Sequence, residues 1–459
     1  MTLNEYFSPL RGRRVAVIGL GVSNLPLTRL LLSLGIDVTA RDKRTRAELG
    51  DTALELESLG ARLISGEHYL KDLTEDVIFR TPGLMPHTPE LADAARRGAV
   101  ITSEMEAFFD ICPCDIIAVT GSDGKTTTTT LISEFLRAEG KTVHIGGNIG
   151  APLLEGADSI SADDFAVIEL SSFQLITMRR SPKTAVVTNI SPNHLDVHRD
   201  VEEYAAAKRN ILIHQSPPCR AVLNFDDAAT RALNKYACGE LLHFSRHFKP
   251  QRGVYLDGTM IKYTDGGDGE DILSTSDIII PGAHNIENYM AAIAATRGLV
   301  SRGAIQRTAR SFRGVEHRIE LVRELRGVKY YNNSSDSSPS RMSAALRAFP
   351  DKVILIAGGK DKGIPYDAAG PAICEHVKML VLTGLTAEKI RDATLASPDF
   401  NGTPKIIMEP DFKLAVMAAH KAARPGDVVL LSPGSTSFDR FNNFAERGNY
   451  FKELVNGLD

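Results

Sequence analysis

Apolar positions along this chain follow two rhythms. Short, β-branched runs of four to six residues end in glycine or polar residues, and between them lie longer stretches with apolar positions at helical spacing. Arg13 to Gly19 reads as a strand, Gly19-Leu20-Gly21-Val22-Ser23-Asn24 as a turn into a helix through Leu34, and Ile36 to Ala40 as a second strand ending at Arg41-Asp42. The middle of the chain repeats the alternation: Ile116–Thr120, Thr126–Glu139, Phe165–Leu170, Ala185–Ile190 and Val201–Ile213, then short segments around Asp257-Gly258, a hairpin signal, and a helix from Asn285 to Val300. Towards the C-terminus, Val353–Ala357, Met379–Thr383 and Val428–Ser432 read as buried strands with helical stretches between them. This pattern predicts an α/β protein with mostly parallel sheets. The expected division is into three domains, 1–103, 104–312 and 313–459, with hinges near 103 and 312.

Length and composition narrow the picture without changing it. The 459 residues suffice for about three cores, with 43% apolar and 24% charged residues. A net charge of −4 gives no pull towards nucleic acid or an anionic membrane. Five cysteines do not read as a disulfide framework, and Cys112-Pro113-Cys114 has no second pair at ligand spacing. MTLNEYFSPL carries no basic segment followed by an apolar one, and no run approaches a membrane span, so the expectation is a cytoplasmic protein.

The candidate chemistry starts at Gly121-Ser122-Asp123-Gly124-Lys125-Thr126, between an apolar strand and a Thr-rich helix start. A strand, a glycine turn and a helix N-terminus present unpaired N–H groups and a favourable dipole to phosphate. Lys125 adds a cation, and Thr126 a hydroxyl for Mg²⁺. The loop is a shortened variant, with Val119 where the general phosphate-loop pattern has its first glycine. Upstream, the Gly19 turn has an acidic residue, Asp42, about 20 positions on, as in dinucleotide-binding folds, but Asn24 replaces the third glycine. Such a turn holds a diphosphate, whether of NAD or of a UDP-sugar.

Other polar groups stand at strand ends, where α/β sheets present ligand-binding residues. Glu169 closes an apolar strand and suits Mg²⁺, a cation that takes oxygen ligands. Asn189 to Asp196, with His194, follow another such strand; Lys208 lies on a predicted helix, and His284-Asn285-Ile286-Glu287-Asn288 opens one.

In order and spacing these pieces resemble the Mur ligases, ATP-dependent amide-forming enzymes of peptidoglycan precursor synthesis. TGSDGKTT is similar to their nucleotide loop, and IELSSFQL (168–175), NISPNHLD (189–196), the AAAK lysine, HNIEN (284–288) and His317-Arg318 to their other motifs. The resemblance spans nearly the whole chain. LSPGSTSFDRFNNFAERGNYFK (431–452) and the GLGVSN turn with Asp42-Lys43-Arg44 look most like the member that adds D-glutamate to UDP-N-acetylmuramoyl-L-alanine.

The resemblance implies a Rossmann-like N-terminal domain for the UDP-substrate, a central P-loop ATPase domain and a C-terminal Rossmann-like domain for the amino acid. It implies ATP on Gly121, Ser122, Asp123, Gly124, Lys125, Thr126 and Thr127, with Asn285 at adenine and Arg318 reaching the nucleotide from the third block. Two Mg²⁺ ions are implied, one on Thr126 and Glu169 and one on His194 and a carbamylated Lys208. Lys125, Glu169, His194 and Lys208 form the implied catalytic set. Gly21, Val22, Ser23, Asp42, Lys43, Arg44, Thr81, Pro82 and Gly83 match the UDP pocket, and Asn148, Ser171 and Gln174 the muramoyl arm. Ser337, Lys362, Ser437 and Phe444 match the D-glutamate pocket, which needs cations and hydrogen-bond donors for two carboxylates. The third domain is expected to close on the second when substrates bind, and the protein to act as a monomer without nucleic-acid or membrane partners.

The chain departs from the family pattern in places. Asn333 and Ser335 stand where an Asp and a Lys are usual, Glu316 replaces a Pro before His317, and Asp123 replaces an Asn in the phosphate loop. The same ligase chemistry with L-lysine or diaminopimelate is an alternative, although Lys362 favours a carboxylate over a distal amine. A nucleotide-dependent switch that joins nothing is an alternative of another class. A dehydrogenase on the Gly19 turn is the weakest.

Overall fold

In the computed structural model, which describes residues 1–192 and 197–459, each third of the chain builds its own sheet. The first has five strands in the order Arg62–Ser65, Val38–Asp42, Val15–Ile18, Val77–Phe79, Val100–Thr102. All its pairings are parallel, with Val15 opposite both Val38 and Val77. Val15–Ile18 is buried at every position, which explains an uninterrupted apolar run: a parallel sheet covered on both faces has no polar side.

The second sheet has nine strands, and at its heart Asp115–Thr120 lies between Phe165–Glu169 and Thr184–Val187. Strands far apart in sequence thus end side by side, and the helix Lys125–Ala138 departs from the middle one. The far edge turns antiparallel through Arg252–Asp257, Met260–Asp265 and Glu270–Ser274. Asp257 pairs with Met260 there, so Gly258 and Thr259 make the anticipated hairpin turn, with Gly258 at φ +59°.

The third sheet runs Glu320–Leu325, Val328–Asn332, Val428–Leu431, Val353–Ala357, Val377–Leu382, Lys405–Met408, antiparallel only in its first pairing. Apolar clusters cover both of its faces: Leu355 and Leu382 belong to one, Ile354 and Leu431 to the other.

The chain packs as two compact units, 1–275 with 287–308, and 276–286 with 309–459. The first and second sheets share the former, and one apolar cluster runs through both, from Val15 and Phe79 to Ala118 and Ile168. No helix among the described residues is long and apolar enough to cross a membrane.

Candidate active site

The loop expected to meet phosphate, residues 121–126, is built by close approach of backbone to side chain. Gly124 caps the helix Lys125–Ala138 in a left-handed conformation, φ +79°, and a Cβ there would run into Asn288 Oδ1. A Cβ on Gly121, φ +152°, would overlap Thr188 Oγ1. Both glycines are therefore required by space as well as by dihedral. Ser122 Oγ donates to Ser191 O at 2.9 Å and accepts from Ser191 N at 2.9 Å, and Thr188 Oγ1 donates to Asp123 O at 2.6 Å. Asp123 N donates to Asn189 Oδ1 at 2.9 Å, so the loop is fastened to the end of the neighbouring strand before any ligand arrives.

Lys125 Nζ folds back on its own loop, donating to Gly121 O at 2.9 Å and Ser122 O at 2.8 Å. Thr126 Oγ1 donates to Glu169 Oε2 at 2.6 Å, and Asn148 Nδ2 to Glu169 Oε1 at 2.7 Å. Thr127 continues the first turn of the same helix. One buried carboxylate thus joins the helix start, the end of the strand Phe165–Glu169 and the residue after Val143–Gly147.

Lys208 lies on the helix Val201–Ile213 and is 1% exposed. Its Nζ donates to Gly121 O at 2.7 Å and Thr120 Oγ1 at 3.3 Å, above the Tyr204 ring. Burial, with the Lys125 charge adding to it, pushes its pKa down to about 6. The amine is therefore neutral at pH 7. His194, the other residue expected here, lies outside the described residues. Among the described residues no three or more of His, Cys, Asp and Glu cluster closely enough to hold a metal ion. Thr126 and Glu169 still form a pair of oxygen donors, which suits Mg²⁺, a cation that completes its octahedron with water and phosphate oxygens.

Ser171 caps the short helix Ser172–Leu175, with Gln174 returning its side chain to Ser171 N at 3.0 Å. At the first sheet, Gly19 has φ +81°, and a Cβ on it would press on Thr81. Asp42 Oδ2 accepts from Leu20 N at 2.7 Å and from Arg44 Nη2 at 2.9 Å, so the turn and the acidic strand end form one unit. Those hydrogen bonds outweigh partial burial and hold the Asp42 pKa below the usual carboxylate value. Gly21, Val22, Ser23 and Lys43 border this unit, with Val22 exposed; Pro82 and Gly83 follow Thr81.

The remaining expected residues lie in the other compact unit. Lys362 Nζ donates to Ser337 Oγ at 3.4 Å. Ser437 is buried, and Asn443 caps the helix Phe444–Asn456. The Phe444 carbonyl accepts from Ser334 Oγ at 2.7 Å. Asn285 Nδ2 donates to Pro281 O at 2.6 Å, and Arg318 closes a bridge with Val315. Asn333 Nδ2 donates to Ser432 Oγ at 3.0 Å, and that hydroxyl donates to Asp336 Oδ2 at 2.6 Å.

Three buried polar residues beside these positions escaped the sequence reading. Tyr204 OH shares a hydrogen with Ser122 Oγ at 2.9 Å while its ring faces Lys208; an aromatic four positions before the lysine was the available signal. Asp336 is a buried carboxyl in the Ser-rich loop after Asn332, its pKa pushed up to about 6 by desolvation. Arg447 is a buried guanidinium that donates to the Ser334 and Ser435 carbonyls at 2.9 and 3.1 Å; nothing in a helical Glu446-Arg447 pair marks it as buried.

Comparison with known proteins adds the last observation. Residues 119–296 match the model of the Mur ligase middle domain, and 317–434 that of the Mur ligase, glutamate ligase domain. The chain is 52% identical to UDP-N-acetylmuramoylalanine–D-glutamate ligase of Ruminiclostridium cellulolyticum, covering 99% of both chains. It is 50% identical to the ligase of the same name from Acetivibrio thermocellus, covering 100% of this chain and 99% of that one. Among solved structures it is similar in fold to UDP-N-acetylmuramate-alanine ligase from Thermotoga maritima, with a TM-score of 0.59 at 17% identity over 97% of this chain and 99% of that one.

Proposed function

The chain belongs to the Mur ligase family, and on that premise we propose that it joins D-glutamate to UDP-N-acetylmuramoyl-L-alanine with consumption of ATP, in peptidoglycan precursor synthesis. The observation that carries this reading is end-to-end likeness, at about half identity, to relatives named for that reaction. The family uses ATP and Mg²⁺ and forms ADP.

The chemistry follows from a poor electrophile. The terminal carboxylate of the UDP-substrate attacks the γ-phosphorus of ATP, the bond from that phosphorus to the bridging oxygen breaks, and ADP leaves. The amine of glutamate then adds to the acyl phosphate. The tetrahedral intermediate expels phosphate and the nitrogen loses a proton, leaving an amide. Both steps gather negative charge, so fixed cations and N–H groups supply much of the stabilisation.

In this reading Lys125 and the N–H groups of residues 121–127 hold the ATP phosphates. Its support is the glycine geometry and the fastening of the loop to Asn189 and Ser191. Thr126 and Glu169 hold one Mg²⁺, and His194 with Lys208 the second. Mg²⁺ would supply charge neutralisation at the phosphate oxygens. A carbamate on Lys208 fits a buried neutral amine: the amine adds to CO₂, loses one proton, and becomes an anionic oxygen donor. Asn285 and Arg318 serve the nucleotide. Gly21, Val22, Ser23, Asp42, Lys43, Arg44 and Thr81 to Gly83 take the UDP end, and Asn148, Ser171 and Gln174 the muramoyl arm. Ser337, Lys362, Ser437 and Phe444 receive D-glutamate, which the Lys362–Ser337 contact supports. The division into domains 1–103, 104–312 and 313–459, a cytoplasmic location and a monomeric state belong to the same reading.

The test is phosphate release from MgATP with UDP-N-acetylmuramoyl-L-alanine and, in separate tubes, D-glutamate, L-glutamate, L-lysine or meso-diaminopimelate. Release dependent on D-glutamate, with a product heavier by one glutamyl residue, is expected. Release with a diamino acid instead would overturn the amino-acid pocket, and release indifferent to amino acid would leave only an ATPase.

A further inference from the structure

Arg80 follows the strand Val77–Phe79 and is fully buried, yet among the described residues no carboxylate is hydrogen-bonded to it. Its guanidinium is spent on neutral acceptors from two segments. Nη1 donates to the carbonyls of Thr81, Pro82 and Leu84 at 3.3, 3.0 and 3.1 Å. Nη2 donates to the Phe173 carbonyl at 2.6 Å and to Thr177 Oγ1 at 2.8 Å, and Nε reaches Thr177 Oγ1 at 3.1 Å. Glu106, which accepts from Arg179 N at 2.8 Å, is the carboxylate whose charge favours the cation. Burial lowers the pKa to about 10, so the group stays charged at neutral pH.

A charge without a hydrogen-bonded counter-ion is a costly way to fill space. What it achieves here is a span. On one side lies the turn Thr81-Pro82-Gly83, and Thr81 is the wall against which Gly19 packs. On the other lies the short helix Ser172–Leu175, whose capping pair is Ser171 and Gln174. Arginine alone among the side chains has a planar fork of five donors able to hold carbonyls on two sides at once; a lysine ammonium is a single point.

We infer that Arg80 is a positioning residue for the UDP-substrate, fixing the spacing between the turn that meets the UDP end and the segment that lines the muramoyl arm. This rests on the ligase reading above and adds a residue to it. A substrate held at both ends senses that spacing. ATP, held by the loop at 121–127, does not.

The test uses Arg80→Lys and, to keep the guanidinium in place, Thr177→Ala, in the full-length protein. Binding of UDP-N-acetylmuramoyl-L-alanine without ATP is measured by calorimetry, with KM for all three substrates and a thermal melt. Arg80→Lys is expected to raise Kd and KM for the UDP-substrate about ten- to a hundredfold. Thr177→Ala should raise them by less, with KM for ATP and D-glutamate unchanged within about threefold in both. Unchanged UDP-substrate affinity in both folded variants overturns the inference. So does an equal rise in all three KM values together with a lowered Tm, which marks a purely structural role. If the wild-type protein itself fails to bind the UDP-substrate, the ligase reading falls, and this inference with it.

Discussion

Lys125 and Lys208 donate to the same acceptor, the carbonyl oxygen of Gly121, at 2.9 and 2.7 Å. Two ammonium groups cannot share one buried oxygen cheaply, and burial with the Lys125 charge beside it pushes the Lys208 pKa down. Burial thus favours the neutral amine at Lys208, the side chain that lies deeper.

A pH dependence follows for Lys208. Its amine is neutral above about pH 6 and an unreactive ammonium below it. Carbamate formation from labelled bicarbonate should therefore appear above pH 6 and fade as pH falls through it. Carbon NMR on the wild-type protein and on Lys208→Met reads this directly, and a signal that persists in the variant would assign the carbamate elsewhere.

On the ligase reading, Lys125→Ala should lower phosphoryl transfer by at least about 10²-fold, since it removes the cation proposed to meet the ATP phosphates. UDP-substrate binding should stay within about threefold of wild type, because the Gly19 turn and Asp42 are held by contacts independent of Lys125. Phosphate release and calorimetry on the same preparation check both halves; loss of both would mean that the two sites have been misplaced.

The local architecture of the candidate site was legible in the sequence because its parts are local. A glycine turn between an apolar strand and a helix announces a phosphate site, and Glu169 announces itself as the polar end of an apolar run. The helix Val201–Ile213 and the strand Val353–Ala357 were readable to the residue, since each is bounded by a clear change of pattern. What sequence could not give was the third dimension. Nothing in residues 77–84 says that Arg80 meets Thr177, and nothing in an Ser-rich loop says that Asp336 is buried against Ser432. Strand ends shifted by one to three residues where flanking polar residues continue a ladder, as with Ala40 to Asp42 beside Leu63 to Ser65.

Glu104 gives a stability prediction. It is buried, its Oε1 has no hydrogen-bond partner, and desolvation pushes its pKa up to about 7. Between its ordinary value near 4.5 and about 7 the folded protein holds a proton that the unfolded chain has lost. Stability therefore falls as pH rises through that window, and the full penalty stands above it. Glu104→Gln should raise Tm at pH 8 and leave it nearly unchanged at pH 4; a lower Tm at pH 8 would show that the carboxylate is stabilised.

Asn333 and Asp336 share Ser432. Asn333→Asp would remove the donor to Ser432 Oγ and place a second carboxylate beside a buried one. A loss on the order of 1–3 kcal/mol is expected in denaturant unfolding. Adding Asp336→Asn should restore most of it. Additive losses in the double variant would show that the two positions are not coupled.

The carboxyl ends of Asp115–Thr120, Phe165–Glu169 and Thr184–Val187 lie side by side, and Lys208 follows later in the chain. During synthesis, then, the loop at residues 121–126 is made before the strands and the helix that surround it. A nascent chain that ends at residue 160 carries Lys125 and Thr126 but no Glu169, no strand to fasten Asp123 and no Lys208. A product truncated there should therefore be inert towards ATP, whereas one that extends past Lys208 carries every one of these groups.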